Sequence, residues 1–205
     1  MSKRYLNRLY DNLDEAKAFA LSFTNFVYFY DDVSTWDFHT EICEKCGKTY
    51  QNADYLAPKA NCKKPTGILH SLEPGVSPEV RDELIALFDV TEDDFRPVRS
   101  KRGEIVYYQI TPRHTMLPIR AENEWPVLAK CPSCGTVYYD QKDRCGDNGE
   151  PFFYISQAAL DEMHDLNVTS ERFMRNYPLF VISRRVFDYL TDRFPRTHYF
   201  PIYLR

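Results

Sequence analysis

One phrase occurs twice in this chain. Cys43-Glu44-Lys45-Cys46-Gly47-Lys48-Thr49-Tyr50 and Cys131-Pro132-Ser133-Cys134-Gly135-Thr136-Val137-Tyr138 both read C-x-x-C-G-x-x-Y. Two thiolates at this spacing grip one metal ion from a tight turn, and the following glycine takes the positive φ that such a turn wants. Two half-sites of this kind supply the four sulfurs of a tetrahedral zinc site. A fold that closes one such site must bring residues 43–46 and 131–134 together.

The sulfurs can be grouped in two ways. Cys43, Cys46, Cys131 and Cys134 can share one structural Zn²⁺ per chain, which leaves Cys62 and Cys145 as ordinary free thiols. Alternatively each knuckle holds its own ion, with Cys62 and either His39 or His70 completing the first, and Cys145 with Asp143 or Asp147 completing the second. No histidine lies near Cys145, and four thiolates match the commonest closed zinc sites, so a shared, zinc-ribbon-like site of four cysteines is the expectation. A closed site has no open coordination position and cannot activate water, so its role is structural. Structural zinc binds with about 10 kcal/mol or more, comparable to the stability of a whole domain.

The chain has 205 residues, 43% of them hydrophobic, which suits a single domain spanning 1–205. The knuckles fall at 36–50 and 125–140, enclosing an insertion 51–124, and a C-terminal α/β segment covers 151–205. Fifteen Tyr and 14 Phe fit a binding protein with adhesive aromatic surfaces. The net charge of −4 argues against a general nucleic-acid binder, which carries a basic footprint. The first residues are charged and lack an apolar signal core, and no apolar run is long enough for a membrane helix. The expected place is the cytoplasm, where six cysteines stay reduced and favour metal over disulfides.

Local patterns predict the elements. Leu13, Ala16, Ala20 and Phe23 lie at helical spacing, predicting a helix over 11–26. Residues 26–30 suit a buried strand, and Trp36 to Ile42 alternate as a strand entering the first knuckle. Residues 51–75, with several Pro and Gly, read as loop. Ser77-Pro78 opens a helix whose apolar face is Val80, Leu84, Leu87 and Phe88. Thr91 precedes the acidic run Glu92-Asp93-Asp94, which suits the start of a short helix. Residues 104–110 read as a strand, Trp125 to Ala129 lead into the second knuckle, and short strands leave both knuckles. Further on, 152–155, 179–182 and 199–204 are strands, the last placed at a sheet edge because of Pro201. Ser156, Thr169 and Ser183 are expected helix caps, ahead of Ala159, Leu160 and Met163, of Phe173 and Tyr177, and of Val186, Leu190 and Phe194. The fold class that follows is α+β, a mostly antiparallel sheet flanked by helices, with the knuckles pinning one side.

No catalytic set is recognised. The five histidines are scattered, His39-Thr40-Glu41 lies too close to Cys43 for a deaminase signature, and no phosphate-cradling glycine motif occurs. Arg184-Arg185 and Lys101-Arg102 read as solvated surface. An enzyme is therefore not expected.

At the two phrases the chain resembles the bacterial double-CXXCG motif proteins, first recognised as myxobacterial paralogues. Residues 179–188 and Phe200-Pro201-Ile202 also look like the ends of these proteins. The resemblance implies a cytosolic immunity protein of the Sit type that binds and neutralises a cognate toxin from a neighbouring cell. Acidic charge would suit a basic nuclease toxin. The alternative is a zinc-ribbon protein that binds nucleic acid or regulates.

Overall fold

A computed structural model describes residues 10, 12–21, 41–45, 49–50, 55–56, 68–69, 75–99, 102–117, 119, 127–135, 137–139, 153–171, 179–194 and 199–205. In chain order the strands are β1 Ala18–Leu21, β2 Glu41–Ile42, β3 Thr49–Tyr50, β4 Tyr55–Leu56, β5 Ile68–Leu69, β6 Gly75–Val76, β7 Phe95–Arg99, β8 Ile105–Ile110, β9 Thr115–Met116, β10 Val127–Lys130, β11 Val137–Tyr139, β12 Phe153–Ile155, β13 Leu166–Thr169, β14 Phe180–Ser183 and β15 Tyr199–Leu204. The helices are α1 Pro78–Leu87, α2 Gln157–Asp161 and α3 Arg184–Arg193. The class is α+β, with mostly antiparallel pairing and few helices. The expected strand at 26–30, the strand start at Trp36 and the helix carrying Phe173 and Tyr177 lie outside the described residues.

A six-stranded sheet runs in the order β12-β15-β1-β14-β13-β9. At its centre β1 reads Ala-Phe-Ala-Leu. Period-two geometry sends Phe19 and Leu21 to one face and Ala18 and Ala20 to the other. Phe19 and Leu21 join a core with Val186, Phe187 and Leu190 of α3. Ala18 and Ala20 join a second core with Met116, Ile119, Phe153, Ile155, Val181 and Ile202. Both faces are covered, so the strand needs an unbroken apolar run. This corrects the helix expected over 11–26 in its described part, 12–21: a 3-10 turn, Leu13–Glu15, ends at extended Ala16, and β1 follows. The helical spacing of Leu13, Ala16 and Ala20 is a coincidence of residues buried for different reasons.

The edge placement of β15 is also corrected. It lies between β12 and β1. Pro201 faces Phe19 in the antiparallel ladder, while the parallel β12 ladder begins one residue later at Phe153↔Ile202. A proline without an N–H is tolerated where it interrupts no ladder hydrogen bond. Thr169 is no helix cap either. It ends β13, and its hydroxyl accepts from the Leu179 N–H at 2.9 Å while donating to the Glu171 carbonyl at 3.1 Å.

A five-stranded sheet, β4-β7-β8-β6-β5, forms within the segment between the knuckles. Part of 51–75, expected as loop, contributes β4, β5 and β6. Ser77 caps α1 by accepting from the Val80 N–H at 3.4 Å, and Val80 and Leu84 are buried. Leu87, expected on the same face, is 58% exposed because the helix ends there. Thr91 and Asp94 close a short turn in which the Asp94 carboxylate accepts the Thr91 N–H at 2.9 Å. Val76, Val80, Leu84, Val90, Phe95 and Ile110 share a core with Phe19, Ile182 and Phe187. The segment between the knuckles is thus anchored by common apolar packing and by β9, which joins the six-stranded sheet beside β13.

Candidate metal centre

The strands that flank the two phrases pair alike. In the first hairpin, Ile42 pairs with Thr49 and Glu41 with Tyr50. In the second, Lys130 pairs with Val137 and Ala129 with Tyr138. The residue before the leading cysteine therefore faces the equivalent partner in each copy, and the repeated tyrosine occupies the same register position. In the second knuckle the Gly135 N–H donates to the Cys131 carbonyl at 2.9 Å, and Gly135 sits at φ +72°. Only glycine adopts that conformation without strain, which explains its place in the phrase.

The hairpins bring their sulfurs together. Cys43 Sγ lies 3.8 Å from Cys131 Sγ, although 88 positions separate them in sequence. Cys43, Cys131 and Cys134 all place Sγ within 4.8 Å of one another, close enough to hold one metal ion. Cys131 is buried and the other two are half-buried, while the tips Glu44, Lys45, Pro132 and Ser133 are largely exposed. Cys46, the fourth expected ligand, lies outside the described residues, as do Cys62, Cys145, His39 and His70. Three sulfurs contributed by two separate hairpins favour a shared ion over one ion per knuckle.

A second polar constellation is not apparent from the sequence. Asp165, 3% exposed, accepts the Asp89 N–H at 2.7 Å, the Ser183 hydroxyl, and both Nε (2.7 Å) and Nη2 of Arg185. Burial pushes its carboxyl up, but Arg185, Ser183 and the Asp89 N–H outweigh it and hold the group below the ordinary range. Next to it the His114 and His164 rings stack at 4.3 Å, and His164 Nδ1 lies 3.4 Å from Asp89. Burial, then the neighbouring His164, lower the His114 pKa, with Glu162 opposing. The expectation of scattered histidines is corrected for this pair.

Arg184-Arg185 are likewise not idle surface. Arg184 donates to the carbonyls of Leu13, Asp14 and Ala16 at 3.1–3.3 Å and pairs with Asp188 at 2.9 Å. A three-member network of Glu83, Tyr189 and Arg193 ties α1 to α3. Arg184–Asp188 and Tyr189–Arg193 are i,i+4 pairs within α3, but the Leu13, Asp14 and Ala16 carbonyls and Glu83 lie on distant segments, so no local sequence signal announces those contacts.

Comparison with protein-family models, with curated proteins and with solved structures returns no match in any of the three. Among the described residues no helix is long and apolar enough to cross a membrane.

Proposed function

We propose that this chain is an immunity protein, a binding module clasped by one structural Zn²⁺ on Cys43, Cys46, Cys131 and Cys134, that neutralises a cognate protein toxin. The observation that carries the clasp is the convergence of three sulfurs from two register-matched hairpins. Cys46 completes the set because it stands in the first phrase where Cys134 stands in the second. Four thiolates favour Zn²⁺ and leave no site for water activation. The toxin-binding part rests on the resemblance of the doubled phrase and on acidic composition. The engagement of Arg81, Arg113, Arg184, Arg185 and Arg193 with carboxylates also weakens the nucleic-acid alternative, which needs free cations facing phosphate.

Two measurements test this reading. The purified chain should carry one zinc, lost when any one of the four cysteines becomes Ser; two zincs, or loss on Cys62→Ser or Cys145→Ser, would refute the shared site. Co-expression with the toxin encoded by the neighbouring gene should restore bacterial growth. Failure to rescue, together with DNA or RNA binding that weakens steeply with salt, would favour the nucleic-acid reading.

A further inference from the structure

We infer that Cys43 and Cys131 form a peroxide-driven disulfide latch when the clasp is without metal. Their sulfurs are 3.8 Å apart and belong to different hairpins. A disulfide needs about 2.05 Å, so closure requires the two sulfurs to approach by roughly 2 Å. The bond joins the same two hairpins that the metal joins. Oxidation therefore substitutes one cross-link for another without separating β2–β3 from β10–β11.

The chemistry closes with a peroxide as the two-electron oxidant. Cys43 is half-buried and Cys131 only 5% exposed, so Cys43 meets the oxidant first. Its thiolate attacks hydrogen peroxide, the O–O bond breaks, one water leaves and a sulfenic acid forms. The Cys131 thiolate then attacks that sulfur, the S–S bond forms and a second water is released. Two thiols lose two electrons and two protons, and the peroxide takes up both.

The metal changes which sulfurs are available. A thiolate bound to Zn²⁺ has its lone pair engaged, so metal and peroxide compete for one set of sulfurs. This competition rests on the proposed metal clasp, whereas the latch itself rests on the sulfur geometry.

The test uses the full-length chain stripped with a chelator, treated with hydrogen peroxide, alkylated, digested and analysed by mass spectrometry. The expected main product is a cross-linked peptide pair in which fragmentation between Pro132 and Ser133 assigns the bond to Cys131. The link should persist in Cys134→Ser and fall at least tenfold in Cys131→Ser. A dominant Cys131–Cys134 bond, a link to Cys134 rather than Cys131, or no disulfide at all would each overturn the latch. The wild-type assignment stands even where a variant misfolds. One equivalent of Zn²⁺ should slow cross-linking at least tenfold. If the Cys43–Cys131 bond forms equally fast with Zn²⁺ present, the shared metal site fails while the latch survives.

Discussion

Asp165 concentrates five donor contacts on one acidic residue: two from Arg185, one each from the Asp89 N–H and the Ser183 hydroxyl, and the Ser183 N–H on its own carbonyl. A buried carboxylate is tolerable only when satisfied in this way. Asp165→Ala leaves the Ser183 hydroxyl and the Asp89 N–H short of a partner and should lower stability by about 2 kcal/mol or more, read from urea denaturation. The same group gives an acid limb. Its folded pKa is depressed, so its contribution is present above the unfolded value of about 3.9 and is lost as pH falls through the folded value. Asp165→Asn should flatten the stability curve below about pH 4; an unchanged limb would mean that other carboxylates dominate there. At this scale the sequence is legible only where it repeats itself. The cysteines announce their partners by their doubled spacing. Beyond the local Arg184–Asp188 pair, Arg184 and Arg185 do not, because the Leu13 carbonyl and Asp165 stand 171 and 20 positions away.

Elements whose signals are local are readable. Ser77, Ser156 and Ser183 each accept an amide hydrogen three residues on, at 3.4, 3.2 and 3.3 Å, and each opens a helix as its sequence predicts. β1 and β15 depart from their local patterns because neighbours set their character. β1 is a strand because both of its faces meet apolar layers, and β15 is internal because β12 pairs beyond Pro201. The junction of β1 with α3 offers a direct test of this packing. The Phe19 and Phe187 rings stack at 3.5 Å, and Tyr199 meets Phe187 edge-on at 5.0 Å. Phe187→Ala removes a fully buried ring and should cost about 3–5 kcal/mol in thermal or chemical denaturation. Leu87→Ala, at the exposed end of α1, should stay within about 0.5 kcal/mol. Comparable losses at both positions would contradict the placement of the core.

Across the whole molecule, the cysteine clasp of Cys43, Cys131 and Cys134 and the polar seam join parts of the chain that local sequence keeps apart. The clasp links two hairpins, while the seam links the end of α1 at Asp89, the approach to β9 at His114, the turn before β13 at His164 and Asp165, and the start of α3 at Arg185. The seam holds a histidine, His114, whose pKa burial and its neighbour His164 lower. Nε2 of His114 is buried with no hydrogen-bond partner among the described residues, and its ring lies on His164. Protonation would place a charge in a half-buried stack with no hydrogen-bond acceptor at Nε2 among the described residues. Asp89 faces His164, Glu162 acts on His114 from the end of α2, and Arg185 faces Asp165. Because the folded pKa of His114 lies below the unfolded value of about 6.5, the unfolded chain takes up a proton first as pH falls. Stability should therefore be at its plateau above about pH 6.5 and decline as pH falls towards the folded pKa. His114→Phe keeps a ring to stack on His164 but cannot be protonated. Urea midpoints measured from about pH 7.5 to 3 should lose most of their slope between about pH 6.5 and 5 in this variant, while the separate loss below about pH 4 from Asp165 remains. If the wild-type and His114→Phe profiles coincide between about pH 6.5 and 5, the histidine stack makes no contribution to the pH dependence of stability.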